Sequence, residues 1–188
     1  TMYKDKLSKM LFLEINKEGF KKSINIPDYV SFKNDDLYIP ISAEYVASNA
    51  NDEIKINNLP IYYFVEGMFI AFGCDPNLRF LEDYGTILTY IADSEECAKS
   101  IIADRIKNDR LEDAYILLKG LYRYSEEEEY LTKLLSIGEV IREKDSGFTD
   151  ILLEDIELCK NKFFKSPEPY LYKALILKDA GDYKGDRK

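Results

Sequence analysis

Two amphipathic helical patterns, separated by a short polar break, constrain the fold of this chain more than any other feature. The first pattern occupies residues 98–106 and the second residues 111–121, with Asn108-Asp109-Arg110 between them. Two helices joined by so short a turn must pack as an antiparallel hairpin. Because one hairpin of this size cannot bury its apolar face, the chain has to supply neighbouring helices. The apolar residues at helical spacing are Ala98, Ile101, Ile102 and Ile106, then Leu111, Ala114, Leu118 and Leu121.

The composition is that of a globular protein with an excess of acid. Hydrophobic residues make up 46% of the 188 residues and charged residues 32%, and the net charge is −9. Residues 1–93 carry 9 basic against 14 acidic side chains, and residues 94–188 carry 17 against 21. No half is basic, so nucleic acid is not an expected partner. The apolar runs are too short to span a membrane, and we expect a cytoplasmic protein with no membrane partner.

The chain contains no histidine, which excludes several classes of active site. Ser-His-Asp catalysis, Cys-His catalysis and metal sites with histidine ligands all require that residue. Cys74, Cys97 and Cys159 are odd in number and widely spaced, which is typical neither of a disulfide framework nor of a zinc site. The consecutive acids 126–129 open a predicted helix and point in different directions around it. We therefore expect no catalytic residues, no cofactor and no metal.

The N-terminal region is predicted as a helix followed by an irregular capping segment. Apolar spacing predicts a helix over residues 3–20, whereas residues 21–58 show weaker patterns. Two extended apolar pieces, 24–30 and 37–41, are candidates for a small hairpin. Ser42 is a candidate N-cap for a helix to about Asn49. The predicted organisation is therefore residues 1–58 as an N-terminal cap and residues 59–188 as helical repeats.

From Pro60 onward the pattern is helical almost to the end of the chain. Capping signals at Asp75-Pro76, Asp93–Glu96 and Ser125–Glu128 support three of the helix starts. Starts at 60, 94, 126 and 167 mark successive hairpins, with spacings of about 34, 32 and 41 residues. A two-helix period of this length is typical of an α-solenoid. The predicted helices are 60–72, 75–92, 94–107, 111–124, 126–143, 149–164 and 168–180.

The first helix after Pro60 has more aromatic residues than a single core-facing stripe can hold. One face of this helix is expected to meet residues 21–58. The alternative is an exposed aromatic patch used for binding or dimerisation. The aromatic residues are Tyr62, Tyr63, Phe64, Phe69 and Phe72.

Two segments in the second half of the chain share a turn motif. Asp109–Ala114 matches the turn pattern G-D-Y-x-x-A, with Ala114 at its alanine, and Leu118 follows where a phenylalanine is common. Near the end, Tyr170, Ala174 and Leu177 lead into a second such turn at 180–183. In these features residues 94–188 resemble the tetratricopeptide repeat (TPR) family, although the helix before the first turn lacks the family's aromatic and glycine positions. The resemblance implies an all-α fold, a right-handed α-solenoid of antiparallel helix hairpins whose last repeat is truncated.

The resemblance also implies where a ligand would bind. In TPR proteins the first helices of successive hairpins line a concave groove that holds an extended peptide or a helix. The alternative is that the aliphatic residues belong to the core between repeats and the lysines are solvated. The family's carboxylate clamp is not matched, because Ala103 stands where it needs asparagine. The groove positions are Lys99, Ala103, Ile106 and Lys107, then Leu134, Ile137 and Ile141, then Leu171, Leu175 and Lys178.

We therefore predict a non-catalytic adaptor or scaffold that binds a protein or peptide ligand. The alternative is a regulatory or sensor domain that binds a short signalling peptide and controls an effector. A homodimer is a further alternative for the partner, and an enzyme ranks third.

Overall fold

The computed structural model describes residues 1–48 and 59–185 and shows a predominantly helical chain. Helices account for 71% of it, with ten α-helices and one pair of strands in the described part. This agrees with the predicted all-α class. The chain divides into two compact units, Thr1–Ser125 and Glu126–Lys188. The described segments on both sides of the predicted boundary at 58/59 belong to the first unit, and the predicted helix end at Asn49 lies outside the described residues.

The first unit combines small N-terminal elements with longer helices, and the second unit is helical throughout its described part. The first comprises α1 Met2–Ser8, β1 Met10–Glu14, α2 Lys17–Ser23, β2 Tyr38–Ser42, α3 Ala43–Ser48, α4 Ile61–Cys74, α5 Leu81–Tyr90, α6 Ser94–Lys107 and α7 Leu111–Ser125. The second comprises α8 Glu128–Lys144, a 3-10 turn Ser146–Phe148, α9 Thr149–Lys162 and α10 Glu168–Gly185.

Helix α4 is the central helix of the first unit, and one side of it packs on the N-terminal elements. Every residue from Phe64 to Gly73 is buried. A Cβ placed on Gly67 would lie 1.7 Å from the carbonyl oxygen of Pro40, so the backbone of β2 touches the helix directly. The ring of Phe64 meets the ring of Phe20 from α2 edge-on, with centroids 5.8 Å apart. The contact with Pro40 confirms that one face of the aromatic helix meets residues 21–58, and Phe20 lies just before that range.

The other side of α4 packs against α7 with the two backbones in contact. A Cβ on Gly73 would lie 2.1 Å from the Ile116 carbonyl oxygen, and a Cβ on Gly120 would lie 2.0 Å from the Phe69 carbonyl oxygen. Since glycine has no Cβ, the two helices approach more closely than any side chain would permit. The predicted 60–92 hairpin paired α4 with α5, whereas the backbone contact that holds α4 is with α7.

The predicted helix over residues 3–20 is wrong, because a strand interrupts it. Helix α1 ends at Ser8, and β1 then pairs antiparallel with β2, from Met10 opposite Ser42 to Glu14 opposite Tyr38. β1 contains a continuous apolar run, for which spacing alone does not distinguish a helix from a strand. The extended piece at 37–41 is confirmed as β2, but its partner is β1 and not residues 24–30.

The predicted hairpin at residues 94–125 is confirmed as α6 and α7. Asp109 in the turn takes a left-handed conformation with φ of 56°. Its N–H donates to the Ile106 carbonyl at 3.1 Å, and the next N–H, of Arg110, donates to the Arg105 carbonyl at 2.8 Å. This is the Schellman arrangement that ends many helices. Of the eight apolar positions predicted for this hairpin, Ile106 and Leu111 are half-buried and the other six are buried: Ala98, Ile101, Ile102, Ala114, Leu118 and Leu121.

Several predicted helix boundaries are wrong. Helix α5 begins at Leu81 and not at Asp75, whose carboxylate accepts a backbone N–H two residues on, at 2.9 Å. Asp93 precedes α6 in a left-handed conformation, and its side chain makes no capping bond. Ser125 is the last residue of α7 rather than the cap of α8. Helix α10 continues to Gly185 instead of ending near 181, since a single glycine costs a helix only about 1 kcal/mol.

The second unit packs α8, α9 and α10 around an apolar core, and Arg142 and Glu139 form a buried ion pair in it. Arg142 donates to both carboxylate oxygens of Glu139, at 2.9 and 2.6 Å. Its Nη2 also donates to Asp179 of α10 at 2.7 Å, which links α8 to α10. The buried core residues include Leu131, Leu134, Leu135, Leu152, Ile156 and Cys159.

Replacing Gly120 by alanine should destabilise the first unit. The added Cβ has to displace the α4 backbone at Phe69, and overpacking of this kind costs about 1–3 kcal/mol. Gly85→Ala is the matched control, because its Cβ would meet only the Phe72 ring, at 3.9 Å, and alanine favours a helix interior by up to about 1 kcal/mol. Urea unfolding followed by circular dichroism measures both. Equal stability of the two variants would refute the close α4–α7 contact.

Replacing Arg142 by methionine should destabilise the second unit by about 3–5 kcal/mol, because Glu139 is then buried without a counter-charge. The double variant Glu139→Met, Arg142→Met should lose less stability than the single variant, since no buried charge remains. Urea unfolding of the two variants and the wild type gives the comparison. A double variant less stable than the single one would contradict the buried ion pair between Glu139 and Arg142.

Candidate functional site

The first unit has an open groove alongside α5, called the α5 groove below. Its volume is about 620 Å³, within the range of about 300–1,000 Å³ that is usual for ligand sites. Helix α5 forms one wall with Leu81, Glu82, Gly85, Thr86, Thr89 and Tyr90. The rest of the lining comes from Val30, from Phe72 of α4, and from Arg123 and Tyr124 of α7.

Aromatic rings and a glycine form the floor of the α5 groove. The Phe72 ring lies close to Gly85, where a Cβ would stand 3.9 Å from its Cζ, and Phe72 is 9% exposed. The Tyr124 ring meets Phe72 edge-on with centroids 6.1 Å apart, and its hydroxyl lies 3.2 Å from the Thr89 hydroxyl. The floor is therefore apolar and its rim carries hydroxyl groups, the usual composition of a ligand site.

A buried carboxylate fixes α5 against the loop that carries Val30. Asp83 accepts hydrogen bonds from the backbone N–H of Lys33 at 2.7 Å and from that of Asn34 at 3.1 Å. It also accepts the Asn34 side-chain amide at 2.8 Å. Hydrogen bonds to a charged acceptor are stronger than neutral ones. This carboxylate therefore keeps the two walls of the α5 groove in a fixed arrangement.

Arg123 is the cation of the α5 groove and caps the end of α4. Its Nη1 donates to the Phe72 carbonyl at 2.7 Å and to the Gly73 carbonyl at 2.9 Å. A cation at this position also complements the negative end of the helix dipole. In the sequence, Arg123 is one more basic residue in the last turn of a helix, and no spacing rule links it to Phe72 or Gly85. No pattern in the sequence predicted this groove.

A second cleft of about 610 Å³ in the first unit is polar and contains paired charges. Glu66 pairs with Arg105 at 2.6 Å. Asp113, on the neighbouring helix α7, pairs with the cleft residues Lys6 at 2.8 Å and Arg110 at 2.6 Å. Because these cations already have carboxylate partners, the cleft is best explained as an ion-pair network that joins α1, α4, α6 and α7.

The predicted groove positions on α6 share one exposed or half-buried face of the first unit. Lys99 is half-buried and its Nζ lies 3.1 Å from Glu96 Oε1 on the same helix. Ala103 and Lys107 are exposed, and Ile106 is half-buried. This face offers little apolar area, since Ala103 and Ile106 are the only aliphatic members among the four.

The remaining predicted positions lie in the second unit and differ in exposure. Ile137 and Ile141 of α8 are 7% and 6% exposed, so they belong to a buried face, as does Leu134. On α10, Leu171 and Lys178 are exposed and Leu175 is half-buried. The predicted positions on α6 thus lie on one face, and those on α10 lie on another.

Helix α10 also presents an apolar stripe to solvent. Tyr170, Leu171 and Leu177 are 50%, 56% and 62% exposed, and Ala174 between them is exposed as well. The last three follow Tyr170 by one, four and seven residues, and this spacing places all four on one side of the helix. Contiguous exposed apolar residues of this kind are a feature of protein interaction surfaces.

The cysteine thiols are poor nucleophiles. Burial raises the pKa of Cys74 to about 12 and that of Cys159 to about 11, and it also raises the pKa of Cys97. All three are therefore thiols at neutral pH, whereas cysteine chemistry needs the thiolate. Within residues 1–48 and 59–185, no group of three or more Cys, Asp and Glu side chains is placed to hold a metal ion. No helix in that part of the chain has the length and apolarity to cross a membrane.

Comparisons with known proteins identify no relative of this chain. No family model matches it, and neither a curated protein nor a solved structure does. The function has to be inferred from the surfaces described above.

The stability of the first unit should fall in acid partly through Asp113. Burial alone would raise the pKa of this carboxyl, but Lys6 and Arg110 outweigh burial and lower the pKa. A carboxyl whose pKa is lower in the folded state contributes its full stabilisation at a pH above its unfolded pKa of about 3.9. That stabilisation is lost as the pH falls through the pKa of the folded state.

Asp113→Asn should therefore show a smaller loss of stability between pH 6 and pH 3 than the wild type, measured by urea unfolding. The control is Glu112→Gln, which removes an exposed carboxylate that makes no ion pair within the described residues. An identical pH dependence for wild type and Asp113→Asn would exclude this role.

Proposed function

We propose that this chain is a non-catalytic protein- or peptide-binding module, and that the α5 groove is its ligand site. The observation that carries the proposal is the groove itself, with an apolar floor of Phe72 and Tyr124, a rim of hydroxyl groups and one cation. Grooves that hold short segments of other proteins combine apolar pockets with a few polar groups in this way.

The charge and chemistry of the chain support a binding role. The net charge of −9 disfavours nucleic acid as the ligand. The protonated thiols and the lack of histidine support a role without nucleophilic catalysis. We also propose a cytoplasmic location and no cofactor, in line with the sequence analysis.

A TPR-like arrangement belongs to the proposal as its architectural component. The α6–α7 hairpin, with its short turn at Asp109, supports helical hairpins as the repeating element. The exposed α10 stripe supports a second contact, with another protein or with a second copy of the chain. A module with a peptide groove in one unit and an apolar contact surface in the other fits an adaptor or scaffold.

Selection from a library of random peptides displayed on phage tests this function. The bait is the whole chain, and enriched peptides are measured against two variants by fluorescence anisotropy. Thr86→Trp places a large side chain in the α5 groove and removes only a hydroxyl that donates to the Glu82 carbonyl of its own helix. Ala103→Trp is the matched control, since it makes the same kind of change on the exposed α6 face.

The expected result is a set of peptides whose affinity falls about tenfold or more in Thr86→Trp, a loss of about 1.4 kcal/mol, and stays unchanged in Ala103→Trp. The opposite pattern would move the site to the α6 face and support the groove predicted from the TPR resemblance. A library that yields no specific peptide would refute the proposed function.

A further inference from the structure

Arg123 differs from the other arginines of the described chain in having no carboxylate partner. Arg79 pairs with Asp36, Arg105 with Glu66, Arg110 with Asp113 and Arg142 with Glu139. Arg123 donates through Nη1 to two backbone carbonyls, and its Nε and Nη2 make no hydrogen bond to any residue that the structure describes. It is half-buried and lines the α5 groove.

The cation and the apolar floor of the α5 groove meet at one residue. Arg123 holds the carbonyl of Phe72, and the ring of the same Phe72 forms the floor beside Gly85. A ligand that uses both features needs a negative group and a large apolar group separated by only a few bonds. The last residue of a peptide has this chemistry, because its α-carboxylate and its side chain branch from the same carbon.

We propose that the α5 groove takes the free carboxyl end of a peptide whose last residue is large and apolar, with Arg123 binding the carboxylate and the Phe72 floor receiving the side chain. This inference rests on the proposed function and specifies its ligand. A guanidinium presents several donors in a plane that matches a carboxylate, and such charge-assisted bonds are about twice as strong as neutral ones.

The polar rim of the groove complements the rest of such a peptide end. The Thr86 hydroxyl donates to the Glu82 carbonyl at 3.2 Å and the Thr89 hydroxyl to the Gly85 carbonyl at 2.8 Å. Their oxygens keep lone pairs that can accept the N–H of the last peptide bond. Glu82, also on the rim, is an acid that disfavours a second negative charge nearby. One carboxylate, and not a run of acids, therefore suits this groove.

The competing explanation gives Arg123 a structural role alone, as the cap of α4. Both explanations predict that removing Arg123 lowers stability. They differ in how affinity depends on the ligand's charge. If Arg123 only caps α4, the groove should bind a peptide acid and its amide with equal affinity.

The test compares peptides that differ in whether and where they carry a carboxylate. The probes are Gly-Gly-Leu-Phe with a free carboxylate, the same peptide as its amide, and Gly-Glu-Leu-Phe amide, whose carboxylate is on a side chain. Affinities come from fluorescence anisotropy competition against a library-selected peptide on the whole chain. We expect the free acid to bind about tenfold or more tightly than either amide, the range for a hydrogen bond to a charged group.

Two variants then assign the preference to Arg123. In Arg123→Gln the ratio of acid to amide affinity should fall to about one, and this ratio does not depend on the fraction of folded protein. Arg123→Lys should recover part of the preference, since it keeps the charge but loses the planar pair of donors. Arg79→Gln is the matched control and should keep the full preference, because Arg79 pairs with Asp36 away from the α5 groove.

Each outcome separates the inference from the proposed function. Equal binding of acid and amide by the wild type, with both blocked by Thr86→Trp, would overturn the carboxylate inference and leave the binding function in place. A side-chain acid that binds as well as the free terminus would overturn the terminal assignment. A preference that survives in Arg123→Gln would overturn the role of Arg123. If neither these probes nor any selected peptide binds, the proposed function fails as well.

Discussion

The backbone contact between α4 and α7 is the constraint on which the first unit depends. At Gly73 and Gly120 the two helices approach so closely that a carbonyl oxygen of the partner helix occupies the space of a Cβ. A third glycine, Gly67, brings β2 equally close on the opposite side. Since α4 is fixed from both sides, its C-terminal end is fixed too. That end supplies Phe72 to the floor of the α5 groove and the carbonyls that hold Arg123.

The α5 groove follows from the way the remaining elements are attached to this pair. Helix α5 is tied to the N-terminal elements through Asp83 and through the Tyr84 hydroxyl, which donates to the Tyr38 carbonyl of β2. Gly85 of this helix lies beside the Phe72 ring of α4, which lines the groove although only 9% of Phe72 is exposed. A Cβ at Gly85 would make only an ordinary contact with the Phe72 ring, whereas a Cβ at Gly120 would collide with the backbone of α4.

The sequence predicts the elements with strong local signals and misses those set by distant partners. The α6–α7 hairpin was predictable, because its apolar spacing and its polar turn lie within about 30 consecutive residues. β1 was not, since residues 10–13 are apolar without alternation and their partner β2 lies some thirty residues further on. The candidate site residues came from a family resemblance, whereas Gly85, Phe72 and Arg123 meet only after α4, α5 and α7 have packed.

The direct contact of β2 with α4 has a practical consequence for dividing this protein into fragments. A fragment that starts at residue 59 would keep α4 but lose the strand whose backbone fills the surface at Gly67. It would also lose Phe20, which covers the Phe64 ring. The exposed strip would be apolar, and such a surface is prone to association. Studies of the helical region by itself are therefore better served by fragments that retain the N-terminal strands.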